Sequence, residues 1–376
     1  MAGIYIHIPF CKQKCTYCDF HFSTSFEKYR LEMVTAICEE LIQRKLFLGE
    51  ESIESIYFGG GTPSILNELE LTSIFNTISN HFEICSSAEI TLEANPDDIT
   101  SESLHIWKKS GINRLSIGIQ SFKQDDLSWM NRAHTIQESL SCIQLASSAG
   151  FKNLTVDLIY GLPNLTNDEW ISHIQKVVDF GVTHISAYCL TVEENTTLDK
   201  LVADKKIIPA SEDQQSEQFI LLVNELQKLG FEQYEISNFC KPGHEAVHNS
   251  NYWTGKKYLG VGPSAHSYDG TQRTWNIRNN PKYMKLVQEG EGYFESEILS
   301  QENRFNELLL TGLRTKFGVE ISQLENCLAL TSIFWNQVQE LINNGSMVQT
   351  NSHLILTIQG RLQADRIASD LFQITD

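Results

Sequence analysis

Six short runs rich in β-branched and aromatic residues, five of them followed by a longer amphipathic stretch, constrain this chain more than any other feature. The runs are Ile4–Ile8, Ile53–Phe58, Glu89–Glu93, Arg114–Ile119, Asn153–Leu158 and His184–Tyr188. Apolar residues at helical spacing fill 26–45, 66–80, 101–110, 136–149 and 167–179 between them. Thr166 and Glu169 form a capping box that opens the last of these stretches. Strand–helix repetition of this kind predicts βαβ units and a parallel sheet. Six units make an α/β fold, an open partial (β/α)6 barrel related to the TIM barrel. A further helix over 211–229 and a strand over Glu232–Ile236 follow, then an irregular segment rich in histidine and aromatic residues.

Each expected strand runs into polar or glycine residues. The first enters Cys11-Lys12-Gln13-Lys14-Cys15-Thr16-Tyr17-Cys18, the second Gly59-Gly60-Gly61-Thr62. The third ends at Glu93, the fourth at Gln120, the fifth passes Asp157, and the sixth reaches Thr191. In parallel barrels ligands sit at the C-terminal ends of the strands, so one pocket collects all these groups.

Three cysteines in eight residues, spaced C-x3-C-x2-C, bring three thiolates together. Iron–sulfur clusters take such ligands. Three ligands leave one iron of a four-iron cluster open. Zinc is the competing reading, but a structural zinc site takes four ligands and only His7 stands near as a fourth. Buried free thiols are the plain alternative, although Lys12, Gln13 and Lys14 do not belong in a core.

The Cys spacing just after a first strand resembles the radical S-adenosylmethionine (SAM) superfamily. Tyr5-Ile6-His7-Ile8-Pro9-Phe10-Cys11 is similar to its HemN-like family, which holds the oxygen-independent coproporphyrinogen III oxidases and the HemW heme chaperones. The resemblance covers nearly the whole chain. It implies a radical-SAM-type partial barrel with a [4Fe–4S] cluster on Cys11, Cys15 and Cys18, and SAM on the fourth iron. It implies SAM contacts from Tyr5, Tyr17, Gly60, Gly61, Thr62, Glu93, Gln120, Arg132, Asp157 and, through backbone, Thr191. The glycines would permit close approach because they lack a Cβ.

Two departures separate the subfamilies. The oxidases carry a further Cys where this chain has Phe20, and a long extension before the Cys motif where this chain has ten residues. Both departures resemble the HemW type. So does His248-Asn249-Ser250-Asn251-Tyr252-Trp253, which matches an HNxxYW motif associated with heme binding. The resemblance implies His248 as heme ligand, in keeping with imidazole as an axial ligand. His244, four residues earlier, is a second candidate if both lie on one helix, and His266, in the following family pattern, is a third. The implied function is heme binding and delivery to apo-hemoproteins such as respiratory enzymes, without coproporphyrinogen oxidase activity. The alternative is the oxidase itself, decarboxylating two propionates to vinyls.

Composition narrows the partners. Net charge is −18 and no Lys/Arg block stands out, which argues against nucleic acid. The nine cysteines, of which only three cluster, point to a reducing compartment and the cytoplasm. Neither a signal peptide nor a membrane-spanning run is legible. Peripheral membrane contact stays open, as does a monomer or a dimer. We expect a barrel over 1–237, the irregular HNxxYW segment over 238–299, and a small α+β winged-helix-like domain over 300–376. That last stretch carries five basic and eight acidic residues, which favours packing or partner binding over DNA.

Overall fold

A computed structural model describes residues 1–373. Its main sheet has twelve strands. They are β1 (Ala2–Ile8), β2 (Ile53–Gly60), β3 (Ile84–Ala94), β4 (Arg114–Gln120), β5 (Asn153–Tyr160), β6 (His184–Cys189), β7 (Glu232–Glu235), β8 (Asn238–Cys240), β9 (Tyr258–Val261), β10 (His266–Tyr268), β11 (Gln272–Asn276) and β12 (Phe294–Ile298). The order is β12-β11-β10-β9-β1-β2-β3-β4-β5-β6-β8-β7, with both ends unpaired, so the barrel is open. β1 to β6 are parallel, and β9 joins β1 in parallel. The strands beyond β9 and beyond β6 are antiparallel.

The register gives the sheet two chemically distinct faces. Successive side chains point to opposite sides of a strand, and paired positions of parallel strands share a side. Ile4, Ile6, Ile8, Ile56, Phe58, Leu92, Leu115, Ile117, Val156, Leu158 and Ile185 form one face, buried under the helices. The other face carries Tyr5 beside Tyr57, Tyr57 beside Thr91, Glu93 beside Ser116, and Gly118 beside Asp157. Burying the apolar face stabilises the barrel at about 25 cal/mol per Å² of apolar surface. The polar face is left for a site.

The helices expected from spacing form at Arg30–Gln43, Glu68–His81, Ser101–Lys109, Ile136–Ser148, Asn167–Asp179 and Glu212–Lys228. Thr166 and Glu169 make the expected capping box, and Asn67/Glu70, Thr100/Ser103 and Thr135/Glu138 make three more. The stretch after 237, read as irregular, instead contributes five strands and the helices Val247–Trp253 and Asn280–Glu289. Strands of three to five residues are too short to show a period of their own. They exist because β1 and β6 offer edges to pair with.

Residues from 300 onward build a second core from Phe305, Leu309, Leu313, Leu324, Phe334, Val338, Leu354 and Leu356. Helices Gln301–Gly312, Ile321–Cys327 and Ser332–Asn343 pack with a three-stranded antiparallel sheet, β13 (Val319–Glu320), β15 (His353–Leu356) and β14 (Met347–Gln349) in that order. This is the winged-helix-like arrangement expected, with the hairpin as wing. Two short helices follow the hairpin, Ile358–Arg361 and Ala364–Asp370. Gly360 lies too close to Ser346 for any side chain, so the first turn is pinned there and the chain re-caps.

Candidate functional site

The C-terminal ends of β1 to β6 bring the three-cysteine loop, the glycine loop and the polar sheet face together. Thr62 donates to Cys11 Sγ at 3.2 Å, and Arg132 Nη1 donates to Cys15 Sγ at 3.4 Å. The two contacts are joined. Arg132 Nη2 donates to Asn95 Oδ1 at 2.7 Å, and Asn95 Nδ2 donates to Thr62 Oγ1 at 3.4 Å. A chain of hydrogen bonds therefore links two of the three thiols through Asn95, the residue after β3. Burial pushes the Cys11 thiol up to about 12 and the Cys18 thiol to about 11, and the neighbouring thiols add to both.

Two observations bear on what this loop can hold. Among the described residues no three His, Cys, Asp or Glu side chains are arranged around a single metal ion. The loop offers three thiols where a closed zinc site takes four ligands, and the nearby His7 has both ring nitrogens hydrogen-bonded. The thiols nevertheless act on one another electrostatically and receive donors from Thr62 and Arg132. Cluster cysteines bind separate irons and stand farther apart than the ligands of one ion, so the donor set fits a [4Fe–4S] cluster.

Glu93 and Asp157 face the same interior. Glu93 Oε1 accepts from Tyr57 Oη at 2.7 Å and its Oε2 from Gly60 N at 3.2 Å. Burial raises Glu93 to about 7, with the Asp157 charge adding to it. Burial raises Asp157 to about 6, against hydrogen bonds from Ser186 and Ser116. Neither carboxylate has an ion-pair partner among the described residues. Two carboxylates without ion pairs on one sheet face, Glu93 on a cavity wall and Asp157 beside Gly118, suit a ligand that brings a cation and hydroxyl groups, as SAM does. Gln120 sits beside them at φ +69, where a register shift against β5 turns it inward. Gly118 makes room: a Cβ there would stand 2.8 Å from Gln120 Nε2 and 3.3 Å from Arg132 Nη2. Tyr17 lies in the Cys loop within reach of Arg132. Thr191 is exposed just past β6.

The glycine loop has a second role beside the expected one, and Gly60 lines a cavity. A Cβ at Gly61 would meet the Phe10 carbonyl at 2.5 Å, and one at Gly60 would meet the His7 ring at 2.6 Å. The missing Cβ atoms thus let β2 lie against β1 and the start of the Cys loop.

His248 departs from expectation. It is buried, its Nδ1 is 2.9 Å from Ser55 Oγ, and its Nε2 is 2.9 Å from Tyr252 Oη. Its ring stacks on Tyr57 at 5.1 Å and on Tyr5 at 6.3 Å. Burial lowers its pKa to about 3, so it is neutral. With both ring nitrogens hydrogen-bonded, it presents no lone pair to an iron in this conformation. His244 precedes the helix, which begins at Val247, so it does not share a helix face with His248. Glu89 explains the placement: its carboxylate accepts from Val247 N and His248 N, seating the short helix on the sheet. Asn249 donates to Tyr234 Oη, and Trp253 lies under the Arg314 guanidinium of the second core.

Above this helix opens a cavity of about 460 Å3. Its lining includes Tyr5, His7, His21, Gly60, Glu93, Tyr252 and Tyr258, buried or half-buried, and its exposed rim, the mouth, is Asp19, Phe20, His266 and Arg278. The motif thus supplies Tyr252 as floor, with His248 beneath it.

The comparisons with known proteins agree with this geometry. The Radical SAM superfamily model matches residues 5–177. The heme chaperone HemW of Bacillus subtilis is 32% identical over 371 residues, covering 98% of both chains. The chain belongs to the HemW family of the radical SAM superfamily. The Haemophilus influenzae heme chaperone HemW is 32% identical over 96% of this chain and 95% of its own. The coproporphyrinogen III oxidase HemN of Escherichia coli, a radical SAM enzyme, shares the fold, with a TM-score of 0.84 over 99% of this chain and 90% of that one, at 21% identity.

Sequence reasoning overlooked Asn95, Tyr57, Ser116 and Ser186, which hold the expected site residues in place. Alternation within each strand was the available signal. Tyr57, Glu93, Ser116, Asp157 and Ser186 all fall on the parity opposite to the apolar residues of their own strands. No helix among the described residues is long and apolar enough to cross a membrane.

Proposed function

We propose that this HemW-family chain binds heme and passes it to apo-hemoproteins, with respiratory enzymes as recipients. It would do so on a scaffold that carries a [4Fe–4S] cluster on Cys11, Cys15 and Cys18 and SAM at Glu93, Gln120, Arg132 and Asp157. The observation that carries the reading is near full-length identity to heme chaperones, joined to Phe20 at the oxidases' extra cysteine. Phe20 is 67% exposed at the cavity mouth, where an aromatic ring favours a flat apolar cargo.

A cluster with SAM bound supplies reductive cleavage of the sulfonium, and the protein's part is to position and shield. Arg132 and Thr62 would stabilise thiolate charge at Cys15 and Cys11 through charge-assisted and neutral hydrogen bonds. Glu93, held by Tyr57 and Gly60, would accept from ribose hydroxyls. Asp157, held by Ser116 and Ser186, would meet the cationic end. Nine free cysteines fit a reducing compartment, and we place the protein in the cytoplasm.

Anaerobic titration of the reconstituted protein with hemin, paired with a turnover assay on coproporphyrinogen III and SAM, tests the reading. Saturable hemin binding without porphyrinogen product is expected. Product formation would make the chain an oxidase and overturn it.

A further inference from the structure

We propose that heme docks at the cavity mouth with its iron on His266 and a propionate on Arg278, while His248 serves as a support beneath the floor. This deepens the chaperone reading and rests on it.

An axial histidine needs a ring nitrogen that is free and reachable. Four histidines lie at or under the cavity. His248 has both nitrogens engaged, by Ser55 and Tyr252. His7 has both engaged as well: Nε2 donates to the His21 carbonyl at 2.8 Å, which leaves Nδ1 to accept from Tyr5 Oη at 3.1 Å. His21 donates from Nε2 to Asn280 Oδ1 at 2.7 Å, which leaves it only Nδ1, the nitrogen crowded by its own Cβ, for an iron. His266 alone among the four has no hydrogen bond to either ring nitrogen, and it is exposed on β10 facing the mouth.

The surroundings of His266 suit a porphyrin. Trp275 flanks its ring at 6.5 Å and 30°, and Phe20, Tyr258 and Ala265 add apolar wall. Arg278 lines the mouth beside Asp19 and donates to the Asp19 backbone carbonyl; among the described residues no carboxylate stands within ion-pair distance of its guanidinium. Arginine is the residue suited to a planar carboxylate. The backbone is built to place this histidine. A Cβ at Gly260 would stand 2.1 Å from the His266 carbonyl, and one at Gly262 would stand 2.4 Å from the His7 carbonyl. Ser264 turns the chain at φ +68, and Glu40 accepts from Gly262 N at 2.8 Å. β10 is thereby held against β9, and β9 against β1, at the edge of the cavity.

The test is anaerobic hemin titration of the full-length reconstituted protein, read by the Soret band and by its ligand-field signature in magnetic circular dichroism. His266→Gly should lower affinity about tenfold or more and lose the histidine-ligated spectrum, and added imidazole should restore that spectrum. Arg278→Ala should weaken binding with the Soret maximum unmoved. His248→Gln, folded by circular dichroism, should keep the wild-type maximum. A wild-type spectrum and affinity in His266→Gly would overturn this assignment and leave the chaperone reading standing. Absence of saturable binding by the wild-type protein would overturn both.

Discussion

The Nε2 of His248 and the hydroxyl of Tyr252 stand 2.9 Å apart, one helical turn from each other on the same short helix. The family motif therefore bonds its own histidine to its own tyrosine. The tyrosine ring reaches the cavity and the histidine does not. Through the stacked Tyr57, whose hydroxyl donates to Glu93, the same histidine also supports the carboxylate proposed to hold SAM.

Truncating such a support should be felt in stability. His248→Ala takes the ring from between the Ser55 and Tyr252 hydroxyls, leaving Ser55 with Asn251 alone and Tyr252 without its partner, and opens a gap beside Tyr57. We expect a loss of about 2–3 kcal/mol, from one hydroxyl left without its partner and a cavity. Chemical denaturation of the full chain measures it; a change below half a kilocalorie would contradict the support role.

The cluster assignment separates the nine cysteines. Cys11→Ser, Cys15→Ser and Cys18→Ser should each abolish the iron–sulfur absorbance of reconstituted protein. Cys240→Ser, in the buried strand β8, should retain about four irons per chain, the content of one [4Fe–4S] cluster. Iron analysis beside the visible spectrum decides the matter.

Gly118→Ala should damage SAM binding while sparing the cluster. The new Cβ would press on Gln120 Nε2 and Arg132 Nη2, which lie too close to accept it unmoved. Calorimetric titration with SAM should show affinity reduced about tenfold or more, with iron content unchanged.

Glu93 links stability to pH. Its carboxyl is raised from 4.5 to about 7 by burial. A raised carboxyl binds a proton in the folded chain that the unfolded chain has released, so stability falls as pH rises between those values. The contribution is fully present below 4.5 and gone above about 7. Asp157, raised from 3.8 to about 6, acts in the same direction over a lower window. Denaturation midpoints of wild type should decline across this range, and Glu93→Gln should flatten the decline at its upper end. An unchanged slope in the variant would remove Glu93 as the cause.

Glu40 ties the helix Arg30–Gln43 to the turn before β10. Its carboxylate accepts from Tyr283 Oη at 2.6 Å, from Asn276 Nδ2 at 2.8 Å and from Gly262 N at 2.8 Å, beside Arg44 at 3.2 Å. Glu40→Ala strands Arg44 and the donors in the interior, which should destabilise the fold by about 3–5 kcal/mol. Thermal unfolding of the variant gives the value.

The parallel barrel was written in the spacing of apolar residues. One face of each strand must be covered by the helix that follows it, and local periodicity alone records that. The site's location followed, because parallel strands deliver their ends to one side. The cysteine loop was equally legible, since its three residues are neighbours in the chain. The role of His248 was not. A motif names residue types, and whether an imidazole nitrogen is free depends on Ser55, 193 residues away in sequence. The same holds for His266: only the pairing of β9 with β1 and of β10 with β11 brings it to the cavity mouth. Local pattern determined the elements and where they end; long-range pairing decided which side chains remain free to bind.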